Sequence, residues 1–150
     1  MNNPRVPKKG LYYPKNREKY LGDHIPIYRS SWEQRMMYYI DNNPNILKWG
    51  NEMVAVPYLS PKDGKIHRYF VDFYIEVLDK RGDIKKLLIE VKPKKKLLPP
   101  KTLHRSKKTV VTETIEYYVN MAKFQSAKAF AEKNGMEWHL YTEDDIEMHC

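Results

Sequence analysis

The residues best suited to chemistry are Asp72 and, eighteen positions on, Glu90, Val91 and Lys92. They lie in the text RYFVDFYIEVLDKRGDIKKLLIEVKPKKK, which begins at Arg68 and reads as two strand-like runs joined by a tight turn. Side chains alternate between the faces of an extended chain, so Glu90 and Lys92 share one face and Leu87, Ile89 and Val91 take the other. An acid and a lysine at the end of an apolar strand are costly to place beside a core. A divalent metal and a phosphate together account for both. Asp72 and Glu90 would supply hard oxygen ligands for Mg²⁺, and the backbone carbonyl of Val91 is a further candidate ligand. Lys92 would place a positive charge beside an attacking water and a scissile phosphate. The chemistry is then phosphodiester hydrolysis. The plainer alternatives are an ordinary edge-strand lysine at 92 and buried acids, with Asp72 salt-bridged to Arg68.

The elements that must position these groups can be read from spacing and punctuation. Residues 1–29 are basic and carry Pro4, Pro7, Pro14 and Pro26 among Lys8, Lys9, Lys15, Arg17 and Lys19. They read as an extended arm that docks through Tyr12, Tyr13, Tyr20 and Tyr28, or as a partly disordered tail. Trp32, Met36, Tyr39 and Ile40 give a helical apolar stripe over Ser31–Asp41, ended by Asn42-Asn43-Pro44. Residues 46–49 read as a short link and 53–59 as a strand, followed by a turn at 60–64. A long strand is expected over 66–78, apolar on both faces near 69–73 and therefore central and covered. Lys80-Arg81-Gly82-Asp83 turns the chain into a strand over 84–92.

The stretch 93–108 contains Lys94, Lys95, Lys96, Lys101, Arg105, Lys107 and Lys108 and no acid. Pro93, Pro99 and Pro100 deny it regular structure. It reads either as a solvated linker or, because it follows Lys92 directly, as a DNA-binding loop. A helix follows over 112–134, with Ile115, Tyr118, Val119, Ala122, Ala129 and Phe130 as its stripe and Gly135 as its stop. A strand over 137–141 and a capping box from Thr142 to Asp145 close the chain. A strand–helix–strand unit after a hairpin gives an α/β fold, a mixed sheet with helices on its faces.

With Glu33 on the first helix, the set Asp72…Glu90-Val91-Lys92 resembles the active-site pattern of the PD-(D/E)xK nuclease superfamily. RSSWE at 29–33, NPNILKW at 43–49, VPYLSPKDGKIHRYFVDFYIEV at 56–77 and LIEVKPKK at 88–95 resemble one branch more closely. That branch is the head completion proteins of large myovirus-type tailed phages, themselves similar to the end-cleaving endonuclease subunit of some transposons. The likeness runs from about Tyr12 to the C-terminus. One departure is that the proline often found before the first acid is Val71 here. The resemblance implies a restriction-endonuclease-like mixed β-sheet flanked by helices, as a single domain over 30–150 behind the arm at 1–29. It also implies Mg²⁺ as cofactor, with Mn²⁺ as a substitute, and a metal-linked role for Glu33. DNA is the implied substrate, and phage head, portal or neck proteins are the implied partners. The place of action would be the host cytoplasm during assembly, with retention in the virion a further option.

Several residues keep two readings. Ser30-Ser31-Trp32-Glu33 is a good capping box, in which Glu33 bonds back to the Ser30 backbone, and that alone would explain the acid. Arg68 and Tyr69 could reach phosphate. Lys123 and Gln125 could enter the site from the side of the long helix or face solvent. His67 reads as structural and facing away from Asp72, and Glu76, Asp79 and Asp83 as turn and surface acids.

Composition sets the outer bounds. The 150 residues carry a net charge of +8, which suits a polyanion. The one cysteine, Cys150, allows no internal disulfide and fits a reducing compartment. The N-terminal text has no apolar signal region, and no apolar run approaches the roughly 20 residues that span a bilayer. A soluble protein, inside the cell or carried in a particle, is expected. Three classes remain: a Mg²⁺-dependent endonuclease, a structural head-completion or DNA-end-binding protein on a nuclease fold, and an RNA-binding basic protein. The third explains the charge but not the acids. No base-reading element is visible, so low sequence specificity is expected.

Overall fold

The computed structural model describes residues 9–150, so the arm residues Pro4, Pro7 and Lys8 lie outside the described residues. The elements run β1 (Gly10–Leu11), β2 (Ile27–Tyr28), α1 (Ser31–Asn42), β3 (Ile46–Asn51), β4 (Ala55–Leu59), β5 (Ile66–Phe70), β6 (Phe73–Leu78), β7 (Ile84–Val91), α2 (Lys107–Lys133), β8 (Glu137–Tyr141) and α3 (Glu143–His149). The main sheet is mixed, in the order β3-β6-β7-β8, with only β7–β8 parallel. This is the α/β, restriction-endonuclease-like arrangement of a mixed sheet with helices on its faces.

Each face of the sheet carries its own apolar cluster. Met36, Met37 and Ile40 of α1 pack with Trp49, Phe73, Ile75 and Ile89 on one side. Val56, Tyr58 and Tyr69 pack with Tyr74, Leu88, Ala127 and Ala131 of α2 on the other. Alternation along β7 explains the split: Ile89 faces α1, while Leu88 and, two residues on, Glu90 face α2. Each large apolar side chain removed from water in this way contributes about 1.5–3 kcal/mol.

Four expectations need correction. Residues 46–49 are not a link but the start of β3, an edge strand. Its register shifts between Ile46 and Lys48, and such a bulge breaks the two-residue alternation that would have revealed a strand. The long strand over 66–78 is two strands. β5 pairs with β4 alone, and the chain then enters the main sheet as β6. On α2, the buried residues are Asn120, Phe124, Ala127 and Ala131, whereas Ile115 and Tyr118 are exposed. Of the expected stripe, Val119, Ala122 and Phe130 do pack against this cluster, half-buried, while Ala129 is exposed. Finally, the stretch 93–108 has some regular structure. A 3₁₀ turn spans Lys94–Leu97, and α2 begins at Lys107 because the Ser106 hydroxyl caps it by accepting from Thr109 N.

The N-terminal segment is tied to the far end of α1 through Asp41, which is 0% exposed. Its carboxylate accepts from the Tyr12 hydroxyl at 2.6 Å, Lys15 N at 2.7 Å and Asn16 N at 3.0 Å. Lys19 Nζ donates to the carbonyls of Ile40, Asp41 and Asn43, a cation on the negative end of the helix. Burial works against the Asp41 charge, but these hydrogen bonds outweigh it and hold its pKa below the ordinary value. Tyr12, Tyr20 and Tyr28 pack against the α1-side cluster, while Tyr13 is 69% exposed and does not.

Asp41→Ala leaves several buried donors without an acceptor and is expected to cost at least about 3 kcal/mol in urea denaturation. Tyr12→Phe, which removes one donor to the charge, is expected to cost about 1–2 kcal/mol in the same measurement.

Candidate active site

Asp72 sits where the chain leaves the β4–β5 ribbon and enters the main sheet. Its carbonyl accepts from Glu52 N at 3.0 Å and from Asn51 Nδ2 at 3.1 Å. Its N–H donates to Glu90 Oε1 at 3.2 Å, and its Oδ2 accepts from Val91 N at 2.9 Å. The pairing of Phe73 with Ile89 puts Asp72 directly opposite Glu90. The two acids are therefore interlocked, each bonded to the backbone of the other strand. Lys92 follows on the same face, its Nζ 3.9 Å from Glu90 Oε2 and its N–H donating to the Tyr141 carbonyl of β8 at 2.9 Å.

Glu33 reaches the same place from the first turn of α1. It is 8% exposed. Its N–H donates to Ser30 Oγ at 3.2 Å, and its Oε2 accepts from that hydroxyl at 3.2 Å. The expected bond back to the Ser30 backbone is replaced by one to the hydroxyl, and Oε1 is buried with no hydrogen-bond partner. Capping thus accounts for only one of the two carboxylate oxygens. The expected capping box at the other end of the chain does form, between Thr142 and Asp145.

Electrostatics set these acids apart from ordinary carboxylates. Burial, and then the Asp72 charge, push Glu33 up to about 7. Burial and mutual repulsion hold Asp72 well above the usual range, and burial raises Glu90 against the opposing pull of Lys92. Among the described residues, no group of three or more His, Cys, Asp or Glu side chains is placed to hold a metal ion. The donors nonetheless fit a divalent cation. Two interlocked carboxylates, a third with an orphaned oxygen, and too little positive charge nearby are what a hard cation relieves. Asp72 and Glu90, with the Val91 carbonyl beside them in the chain, are the groups that would hold it.

One residue, Glu52, enters the site unannounced by the sequence. Glu52, with φ at 51°, lies close enough to act on both Glu33 and Asp72, and a two-pronged pair with Arg29 at 2.9 and 3.2 Å holds it. An acid in a loop gives no periodic signal. Tyr69 is buried beside Glu90, and its hydroxyl makes no well-formed hydrogen bond. Lys123 of α2 lies over the rings of Tyr58 and Tyr69, whereas Gln125 is exposed.

Other candidates stand apart. Arg68 is exposed and lies over Phe70, its guanidinium 5.7 Å from the ring centre. His67 bonds Asp63 at 2.8 Å near the ribbon tip. Asp79 accepts turn amides from Arg81 and Asp83, while Glu76 sits within β6 and accepts from the Tyr74 hydroxyl. The basic stretch is partly neutralised. Lys94 pairs with Asp144, Lys96 with Glu116 at 3.4 Å and Arg105 with Glu113 at 2.6 Å. Lys95, Lys101, Lys107 and Lys108 make no ion pair among the described residues and are exposed.

Residues 43–143 match the family described as the TnsA-like endonuclease N-terminal domain, a span that includes Asp72, Glu90 and Lys92 but not Glu33. The chain is also 39% identical over 142 residues to the head completion nuclease of Enterobacteria phage T4, covering 91% of this chain and 92% of the relative.

The raised Glu33 pKa carries a sign for stability. An acid whose pKa is higher in the folded state favours folding while protonated and loses that contribution as pH rises. In EDTA, stability should therefore fall between pH about 4.5 and about 7. Glu33→Gln should remove part of that decline and leave the metal-free protein more stable at pH 8, by up to about 3 kcal/mol on conversion of the shift. Urea denaturation across pH measures it.

Proposed function

The chain belongs to the TnsA-like endonuclease family, and from that premise we propose that it is a Mg²⁺-dependent endonuclease of phage head completion. In this reading it hydrolyses phosphodiester bonds at or near the ends of packaged DNA and prepares the filled head for neck and tail joining. Its 39% identity to a head completion nuclease supports the setting. The observation that carries the chemistry is the interlocked Asp72–Glu90 pair with Lys92 Nζ 3.9 Å from Glu90. A structural protein has no need to hold two facing acids against each other beside a lysine.

Asp72, Glu90 and the Val91 carbonyl would hold the cation, Mg²⁺ or Mn²⁺ in its place, which would supply charge for the phosphate and acidify a water. Lys92 is anchored through its own backbone to β8, so its ammonium is aimed rather than free. There it would donate to a phosphate oxygen where negative charge grows in the transition state. The orphaned Oε1 of Glu33 is the remaining acceptor able to order a water. Lys95, Lys101, Lys107 and Lys108 would contact the DNA backbone, and Lys94, Lys96 and Arg105 would join them by exchanging their present carboxylate partners for phosphates. Arg68, on the ribbon, would add a contact from the other side of Asp72. Head, portal or neck proteins would bring the enzyme to the DNA end. No helix among the described residues is long and apolar enough to cross a membrane.

Asp72→Ala or Glu90→Ala is expected to abolish nicking of plasmid in Mg²⁺ while DNA binding survives or improves, since an acid that repels phosphate is gone. Lys92→Ala is expected to slow cleavage on the order of 10²–10³-fold, the scale for one transition-state stabiliser. Full cleavage by the Asp72→Ala protein would defeat the assignment. Tail joining to heads completed with that variant separates an enzymatic role from a purely structural one, and it should fail.

The ion pairs of the basic stretch decide which lysines matter most for affinity. Each phosphate contact contributes roughly −0.9 to the slope of log K against log salt on duplex DNA. Neutralising Lys95, Lys101 and Lys107 to Gln is expected to flatten the slope by about two to three units. Lys94→Gln is expected to change it by less than one, because Asp144 already competes for that charge. Titrations at several salt concentrations in EDTA give both values.

A further inference from the structure

Lys123 is a cation without a carboxylate partner in a place where one would be expected. It sits on α2 at the margin of the buried stripe formed by Asn120, Phe124 and Ala127. Its Nζ lies 5.7 Å from the centre of the Tyr58 ring and 5.6 Å from that of Tyr69, one ring from each strand of the β4–β5 ribbon. Among the described residues it forms no ion pair, although Glu90, Asp72 and Glu116 are all near enough to act on it. Two aromatic faces attract an ammonium and fix its place while leaving all three of its N–H donors unused.

The surroundings say what those donors are for. Tyr69 touches both sides of the problem, with its ring against Lys123 and its hydroxyl beside Glu90. α2 covers the same face of the sheet that carries Leu88 and, two residues on, Glu90, with Lys92 beyond. Lys92 and Lys123 therefore approach the acid pair from two directions, one along β7 and one from α2, and the Lys92 charge acts on Lys123. Glu90 is already bonded to Asp72 N and lies 3.9 Å from Lys92, so the second ammonium meets the charge of the first until an anion arrives. A purely structural lysine would be better replaced here by methionine, which packs on tyrosine rings without that repulsion.

We propose that Lys123 is a second phosphate-contacting cation of the active centre, stacked between Tyr58 and Tyr69 and aimed, with Lys92, at the phosphodiester of the bound DNA. This deepens the endonuclease reading and rests on it. Lys92 serves the scissile phosphate beside Glu90. Lys123, entering from the helix, grips that phosphate or its immediate neighbour and sets the path of the strand between α2 and the ribbon.

The test uses Lys123→Met and Lys123→Arg in the full chain. In EDTA, where no cleavage occurs, Lys123→Met should bind duplex DNA with a salt slope smaller by about one unit, the loss of one phosphate contact. Lys123→Arg should restore the slope. In Mg²⁺, Lys123→Met should cleave on the order of 10²-fold more slowly, with thermal stability equal to or above the parent. A Lys123→Met protein that keeps the parental slope and rate overturns the proposal. Should that variant fail to fold, acetylation of the unmodified protein, read by mass spectrometry, decides. DNA in EDTA should protect Lys123, and labelling unchanged by DNA overturns the inference. The two readings fail separately. Absence of cleavage by the parent in Mg²⁺ defeats the endonuclease chemistry, whereas an unprotected Lys123 in a protein that cleaves defeats this inference alone.

Discussion

The structure depends on the point where one continuous run of chain changes sheets. Up to Phe70 the backbone bonds to β4; from Phe73 it bonds to β3 and β7. Between them, Asp72 has its N–H, its carbonyl and one carboxylate oxygen all committed, to Glu90, to Asn51 and Glu52, and to Val91. A residue held at so many points cannot turn its side chain away. The break in the strand therefore places the first acid, and the opposite register places the second.

That rigidity has a thermodynamic cost. Three carboxylates are gathered with one nearby lysine salt bridge, and the pKa of each is pushed upward. Compensation comes from elsewhere in the fold. Asp41, eight residues along α1 from Glu33, is a buried acid of the opposite kind, fully satisfied and lowered in pKa by the segment it binds. One end of the helix is anchored by well-bonded charge, while the other presents an acid with an unsatisfied oxygen. Sites built to bind cations or anions show this division of strain, because their polar groups find partners only when the ligand arrives.

Positive charge is divided as well. Part of the basic stretch after Lys92 is held by acids of α2 and α3, which shapes the loop before DNA is present. The remaining lysines are exposed. A preshaped loop loses less conformational entropy on binding than a free lysine-rich linker would. On the proposed reading, exchanging carboxylates for phosphates would keep the paired cations from being stranded.

The sequence by itself determined which residues could do chemistry together. Asp72, Glu90 and Lys92 were legible because period-two alternation fixes which residues share a face, and alternation is local. The first helix, the β7 text and the capping box at Thr142 were legible for the same reason, since each depends on neighbours only a few residues away. The tertiary structure decided what depends on distant partners. It split the run at 66–78, because nothing local says that the ribbon must leave the sheet to cover α2. It made 46–49 an edge strand, because a bulge destroys the alternation that would announce one. It turned α2 so that Asn120, Phe124, Ala127 and Ala131 are buried while Ile115 and Tyr118 are exposed, because the opposing elements set which face is covered. It also brought Glu52 to the acids and, of the two readings open for Lys123, set that residue against Tyr58 and Tyr69 rather than free in solvent. A charged or aromatic side chain carries no mark in the sequence of which distant group it will face, and only the packing of one element on another supplies that partner.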